Sequence, residues 1–200
     1  MRRLCPLMAA AIAVAAATVP AGGQGLGDPF ADGPSFDAPR QLEAHLVPSH
    51  APAEPGQRLH LAVDLRIADG WVYYGPEPGT DADFVIPARM EADAAPLVAG
   101  EVLWPDAEPY DYDLGDRTVT IDSYKHRAVA YVPLTVPDDL AAGEYRLTVT
   151  LGGQVCGGPD NVCVNLRGPD AVSASTTVAV GSPAAPNPAW TDDPRIAGGL

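Results

Sequence analysis

Between residues 41 and 180 the chain alternates apolar and polar side chains with the period of β-strands. The clearest run is RLHLAVDLRI (Arg58–Ile67). Leu59, Leu61, Val63, Leu65 and Ile67 fall on one face, and His60, Asp64 and Arg66 on the other, as in a strand with one buried side. AVAYVPLTV, YRLTVTL and ASTTVAV (Ala174–Val180) repeat the signal, and LEAHLV, WVYY, IPARME and VTIDSY are shorter candidates. Pro133 inside one of these runs predicts an edge or a bulge, because proline cannot donate to a ladder. No ten-residue stretch sustains a 3.6-residue period without a proline. Eight or nine short strands separated by turns predict an all-β chain, an immunoglobulin-like antiparallel β-sandwich.

The flanks lack this period. Residues 1–21 read as an export signal: Arg2 and Arg3, then the apolar LCPLMAAAIAVAAA, then small residues with Val19 and Ala21 placed for cleavage. Residues 22–40 read as a flexible lead-in, and residues 181–200, with Trp190, as a disordered tail. The ordered part is then a single domain, 41–180. No later stretch is long and apolar enough to span a bilayer, so the expected product is soluble and exported, periplasmic in a bacterium, meeting a membrane only through a partner.

Composition narrows the choice of partners. With 12 basic and 26 acidic residues the formal charge is −14, which excludes nucleic acid as a natural ligand because phosphate backbones need a Lys/Arg surface. The 22 prolines and 20 glycines agree with many turns and few helices. No glycine-rich phosphate loop and no serine in a nucleophile elbow is present, so hydrolase chemistry has no support. His45, His50, His60 and His126 have no zinc spacing with the cysteines. The acidic stretch Asp106, Glu108, Asp111, Asp113 and Asp116 lacks the spacing of a calcium loop and reads as a solvated loop. No metal and no cofactor is expected.

Chemistry concentrates in VCGGPDNVC. With Cys5 removed in the leader, Cys156 and Cys163 remain, and an even count in an oxidising compartment predicts their disulfide. They flank a Gly-Gly-Pro-Asp-Asn turn, and opposite arms of a hairpin meet disulfide geometry. Two readings stand: a staple, worth about 2.5 kcal/mol for an eight-residue loop, or a redox centre. Asp160 lies between the cysteines and the nearest cation in sequence is Arg167, so nothing local activates a thiolate. That pattern suits a disulfide attacked by a partner's thiolate.

DGWVYYGPEPG (Asp69–Gly79), then VLWP (Val102–Pro105), then SYKHRAVAYVPLTVP and LAAGEYRLTVTL lead up to the cysteine pair. In this order the motifs resemble the N-terminal periplasmic domain of the bacterial transmembrane thiol:disulfide interchange reductase, the DsbD family, over roughly residues 41 to 180. The resemblance implies a shuttle. Cys156 and Cys163 would take electrons from a thioredoxin-like protein or membrane thiol reductase and pass them to oxidised periplasmic clients, including those of cytochrome c biogenesis. It also implies that the second cysteine, Cys163, bonds to partners, and that a cap shields the pair. Tyr73 or Tyr74 would lie beside the sulfurs, only one of them because side chains alternate. Tyr110 or Tyr112, in the polar stretch after Trp104, or Tyr124 would supply the cap. The six-residue spacing and VNLRG after Cys163 depart from the family pattern. The competing reading is a non-catalytic interaction domain with a structural disulfide.

Overall fold

A computed structural model describes residues 41–79 and 82–199; the candidate leader and lead-in, 1–40, lie outside them. Eleven strands follow in order: β1 (Leu42–Pro48), β2 (Arg58–Ile67), β3 (Trp71–Tyr74), β4 (Arg89–Asp93), β5 (Val98–Ala99), β6 (Glu108–Asp113), β7 (Thr118–Tyr124), β8 (Arg127–Thr135), β9 (Gly143–Gly157), β10 (Val162–Leu166) and β11 (Val172–Val180). They form two sheets, β1-β2-β8-β5 and β10-β9-β3-β7-β6, with β11 and β4 also paired to β9. Every pairing between these strands is antiparallel. The result is the expected immunoglobulin-like sandwich.

The core forms where the alternation places it. Leu59, Leu61, Val63, Leu65 and Ile67 of β2 are all buried, facing Leu147, Val149, Leu151 and Val155 of β9. Burying each such side chain stabilises the fold by about 1.5–3 kcal/mol. Pro133 lies inside β8, not on an edge strand. It is tolerated because β5 pairs only with Thr135 and Leu134, and the Pro133 carbonyl accepts from Gly100 N–H at 2.8 Å, so the missing donor falls where that ladder ends.

Two expectations are corrected here. The polar stretch after Trp104 is a strand, β6, paired residue by residue with β7. Its period of two, Tyr110 and Tyr112 against Asp111 and Asp113, was masked by the acidic residues and Pro109. The segment after β11 is ordered through Gly199. It carries two single-turn helices, α1 (Pro188–Thr191) and α2 (Pro194–Ala197), N-capped by Asn187 and Asp193 with proline in the first turn, a pairing of cap and proline that was legible in NPAW and DPRI. Trp190 and Ile196 pack on Ala62 and Tyr131, the outer face of the first sheet. Tyr131 Oη donates to the Ile196 carbonyl at 2.7 Å, and Arg127 bridges Asp64 and Asp193. This cover explains why Asp64, on the polar face of β2, is only 3% exposed.

Candidate redox site

Cys156 and Cys163 stand directly opposite each other on β9 and β10, their Cα atoms 4.1 Å apart, and are joined by a disulfide. The hairpin needs its glycines. Gly157 has φ of +156°, and a Cβ there would run into the Gly70 carbonyl. At Gly153, where β9 leaves β4 for β3, φ is +116° and a Cβ would lie 2.8 Å from the Pro87 carbonyl oxygen. Neither place admits an L side chain without backbone movement.

The bond is lopsided. Cys156 is 1% exposed, packed in an apolar cluster with Val72, Tyr74, Ala82, Val85, Val119 and Ile121. Cys163, on the outermost strand, is exposed. One cysteine of the pair is therefore exposed to solvent and the other is not. Asp160 and Arg167 are both exposed, and neither takes part in an ion pair among the described residues.

The pleat sorts the five tyrosines. Val72 faces Cys156 across the β3–β9 ladder, so Tyr74, two residues on, shares its face. Tyr110 and Tyr112, opposite Ile121 and Val119, pack against the same cluster. Tyr73 and Tyr124 take the other face, inside the sandwich, with ring centroids 6.4 Å apart. Tyr73 Oη donates to the Gly152 carbonyl at 2.7 Å and Tyr124 Oη to the Pro105 carbonyl at 2.9 Å, while Trp104 stacks on Tyr124. Burial, reinforced by Tyr112 and Tyr110, pushes the Tyr74 hydroxyl well above the ordinary phenol range, so it keeps its proton at neutral pH.

What covers Cys156 is a segment the sequence did not single out. The chain leaving β3 crosses this face before β4, and Ala82 and Val85 complete the cluster around the buried sulfur. Phe84, 44% exposed, meets the Tyr112 ring at 6.0 Å. Gln154 ties the segment down: its Oε1 accepts from Ile86 N–H at 3.4 Å, and its Nε2 donates to Asn165 Oδ1 at 3.0 Å. The local signal was the short apolar run Phe84–Val85–Ile86 in DFVIP, too short to show a period. Lys125 places its Nζ 4.9 Å over the Tyr110 ring, a cation–π contact. Among the described residues no group of three or more His, Cys, Asp and Glu side chains is arranged to hold a metal ion, and no helix is long and apolar enough to cross a membrane.

Fold and site together define an immunoglobulin-like β-sandwich with a cross-strand disulfide, half buried and half exposed, at the end of one sheet. No family model matches the chain, and no curated protein does. Among solved structures it is similar to the N-terminal periplasmic domain of ScsB from Proteus mirabilis, at 15% identity and a TM-score of 0.46, over 78% of this chain and 53% of that one. It thus spans about half the length of that relative. It is also similar to the complex between the DsbD N-terminal and PilB N-terminal domains from Neisseria meningitidis, at 19% identity and a TM-score of 0.30, over 67% of this chain and 80% of that one. The seventh ScaB type I cohesin from Pseudobacteroides cellulosolvens matches at 13% identity and 0.39, over 70% and 92%. These are likenesses of fold.

Proposed function

We propose that the chain is an exported thiol:disulfide exchange module that works through Cys156 and Cys163. The observation that carries this reading is the asymmetry of the pair: one cysteine exposed on an outer strand, its mate buried. A staple gains nothing from presenting a sulfur to solvent, whereas exchange requires it. A partner's thiolate attacks Cys163 Sγ. The new sulfur–sulfur bond forms there, the Cys156–Cys163 bond breaks, and the electron pair leaves on Cys156 Sγ, which then takes a proton. The partner's second thiol attacks the mixed disulfide and leaves this pair reduced, ready to reduce an oxidised client by the reverse steps.

The residues around Cys156 have roles in that sequence. The segment bearing Ala82, Phe84 and Val85 is the cap, in place of the tyrosine loop, and it keeps small thiols from the buried sulfur. Tyr74, protonated and on the same face, is the tyrosine placed to steady the sulfur that leaves. The donors are thioredoxin-like proteins or a membrane thiol reductase, and the acceptors are oxidised periplasmic proteins, the partners that the motif order implies.

The structural staple is the competing reading, and the reduction potential decides between them. A structural disulfide lies below about −300 mV, and a shuttle lies nearer its partners. Equilibration against glutathione and dithiothreitol buffers is expected to give a midpoint above that limit with the fold intact by circular dichroism. A lower midpoint, with unfolding on reduction, would end the exchange reading.

A further inference from the structure

β10 ends its sheet: it pairs with β9, and among the described residues no strand lies along its other edge. In an antiparallel ladder each residue directs both its N–H and its C=O to one side, and the next residue directs both to the other. The bonds of the neighbouring strands settle which way Cys163 points. Gly75 N–H donates to the Asp122 carbonyl at 2.8 Å, toward β7. Tyr73, two residues earlier, therefore also addresses β7, and Val72 addresses β9. Val72 is opposite Cys156, so Cys156 directs its backbone groups to β3. The bond from Gly158 N–H to the Gly70 carbonyl, 3.1 Å, has the same parity. Cys163 then belongs to a pair without ladder bonds, which agrees with its Cα lying 4.1 Å from that of Cys156, the closer of the two antiparallel spacings. Its N–H and C=O point away from β9, to the open edge, and no bond outside the ladder takes them up among the described residues. Asn165 has the same parity, but its carbonyl already accepts from Arg167 N–H at 3.0 Å.

The disulfide points the same way. Exchange at sulfur is an in-line displacement, with the incoming thiolate opposite the leaving sulfur. Cys156 is the inner residue of this directly opposed pair and Cys163 the outer one, so attack opposite the leaving Cys156 Sγ comes from the β10 side of the pair, where the open edge lies. A strand added there brings one residue opposite Cys163, with its side chain on the face that carries the sulfur.

We propose that the thiol partner docks as an extended segment on the open edge of β10, its cysteine opposite Cys163 and its backbone exchanging two hydrogen bonds with the Cys163 N–H and C=O. This rests on the exchange reading above and names the geometry of the docking segment: the residues that carry the partner's reacting cysteine lie extended along β10. The edge supplies orientation, and the thiolate attack on Cys163 Sγ proceeds with the bonds and electrons already described.

Three thiols test it on the intact oxidised protein. They are N-acetylcysteine methylamide, the extended peptide acetyl-Thr-Val-Cys-Val-Thr-amide, and that peptide N-methylated at its cysteine amide. Rates of opening the Cys156–Cys163 bond are compared at equal thiolate concentration. The plain peptide is expected to react about tenfold faster than the methylamide, a difference of about 1.4 kcal/mol, and N-methylation to remove the excess. Equal rates for all three would overturn edge docking and leave exchange standing, since the bond still opens. A bond that none of the three opens while the fold persists would overturn the exchange reading, and edge docking with it.

Discussion

Single replacements of the two cysteines separate accessibility from stability. Cys156→Ala and Cys163→Ala each abolish the eight-residue loop, so each loses about 2.5 kcal/mol of unfolded-state restriction. The two variants differ in the thiol left behind. Cys163 in the first is exposed on β10, whereas Cys156 in the second is 1% exposed beneath the segment that carries Ala82 and Val85. Lifting that segment exposes a valine side chain and an alanine methyl, about 2.5 kcal/mol together, and the Gln154 bonds add to the cost. An opening of about 2.7 kcal/mol slows a reaction that needs it about a hundredfold. Cys163 is therefore expected to react with an aromatic disulfide reagent at the rate of an ordinary exposed thiol, and Cys156 about a hundred times more slowly, followed by release of the coloured thiolate. The same ordering should govern trapping: only the Cys156→Ala variant accumulates a stable mixed disulfide with a thioredoxin-like protein. Equal rates for the two variants, with both folded, would refute the reasoning, because the burial of Cys156 would then offer no protection.

Two further outcomes follow from the titrating groups. The Arg127 guanidinium, and then the Arg195 N–H, hold the Asp193 carboxyl below its ordinary value of 3.8; because the folded value is the lower one, the docked C-terminal segment should be anchored above that value and released as pH falls through the depressed one. Trp190 fluorescence should report the release, and Asp193→Asn should weaken docking at neutral pH and abolish the pH step; a step that survives in this variant would assign it to another group. Burial, then Asp106 and Asp122, pushes the Tyr124 hydroxyl up to about 12, whereas an exposed phenol titrates near about 10. A raised folded value means stability that is present below the unfolded value and lost as pH rises, so phenolate absorbance and circular dichroism should change together above about pH 10, and Tyr124→Phe should shift that transition upward.

Much of this protein is local and was open to reading along the chain. The alternation in Arg58–Ile67 selects its buried face without reference to any partner, because a strand's period is a property of one strand. The turn between Cys156 and Cys163 is equally local, and so is their pairing across it. What the linear order left undecided is what the neighbouring strands determine. Whether Tyr73 or Tyr74 faces the sulfurs depends on the register that sets Val72 opposite Cys156, and a slip of one residue would exchange them. The strand at Glu108–Asp113 exists because β7 lies beside it. The C-terminal helices are one turn each and gain their stability from Tyr131 and Arg127 on another sheet. The chemical identity of the site is thus a matter of sequence. Its asymmetry, with one sulfur under a crossing segment and the other on an open edge, arises from long-range packing, because burial and edge position are properties of what lies alongside a residue in space and not of what precedes it in the chain.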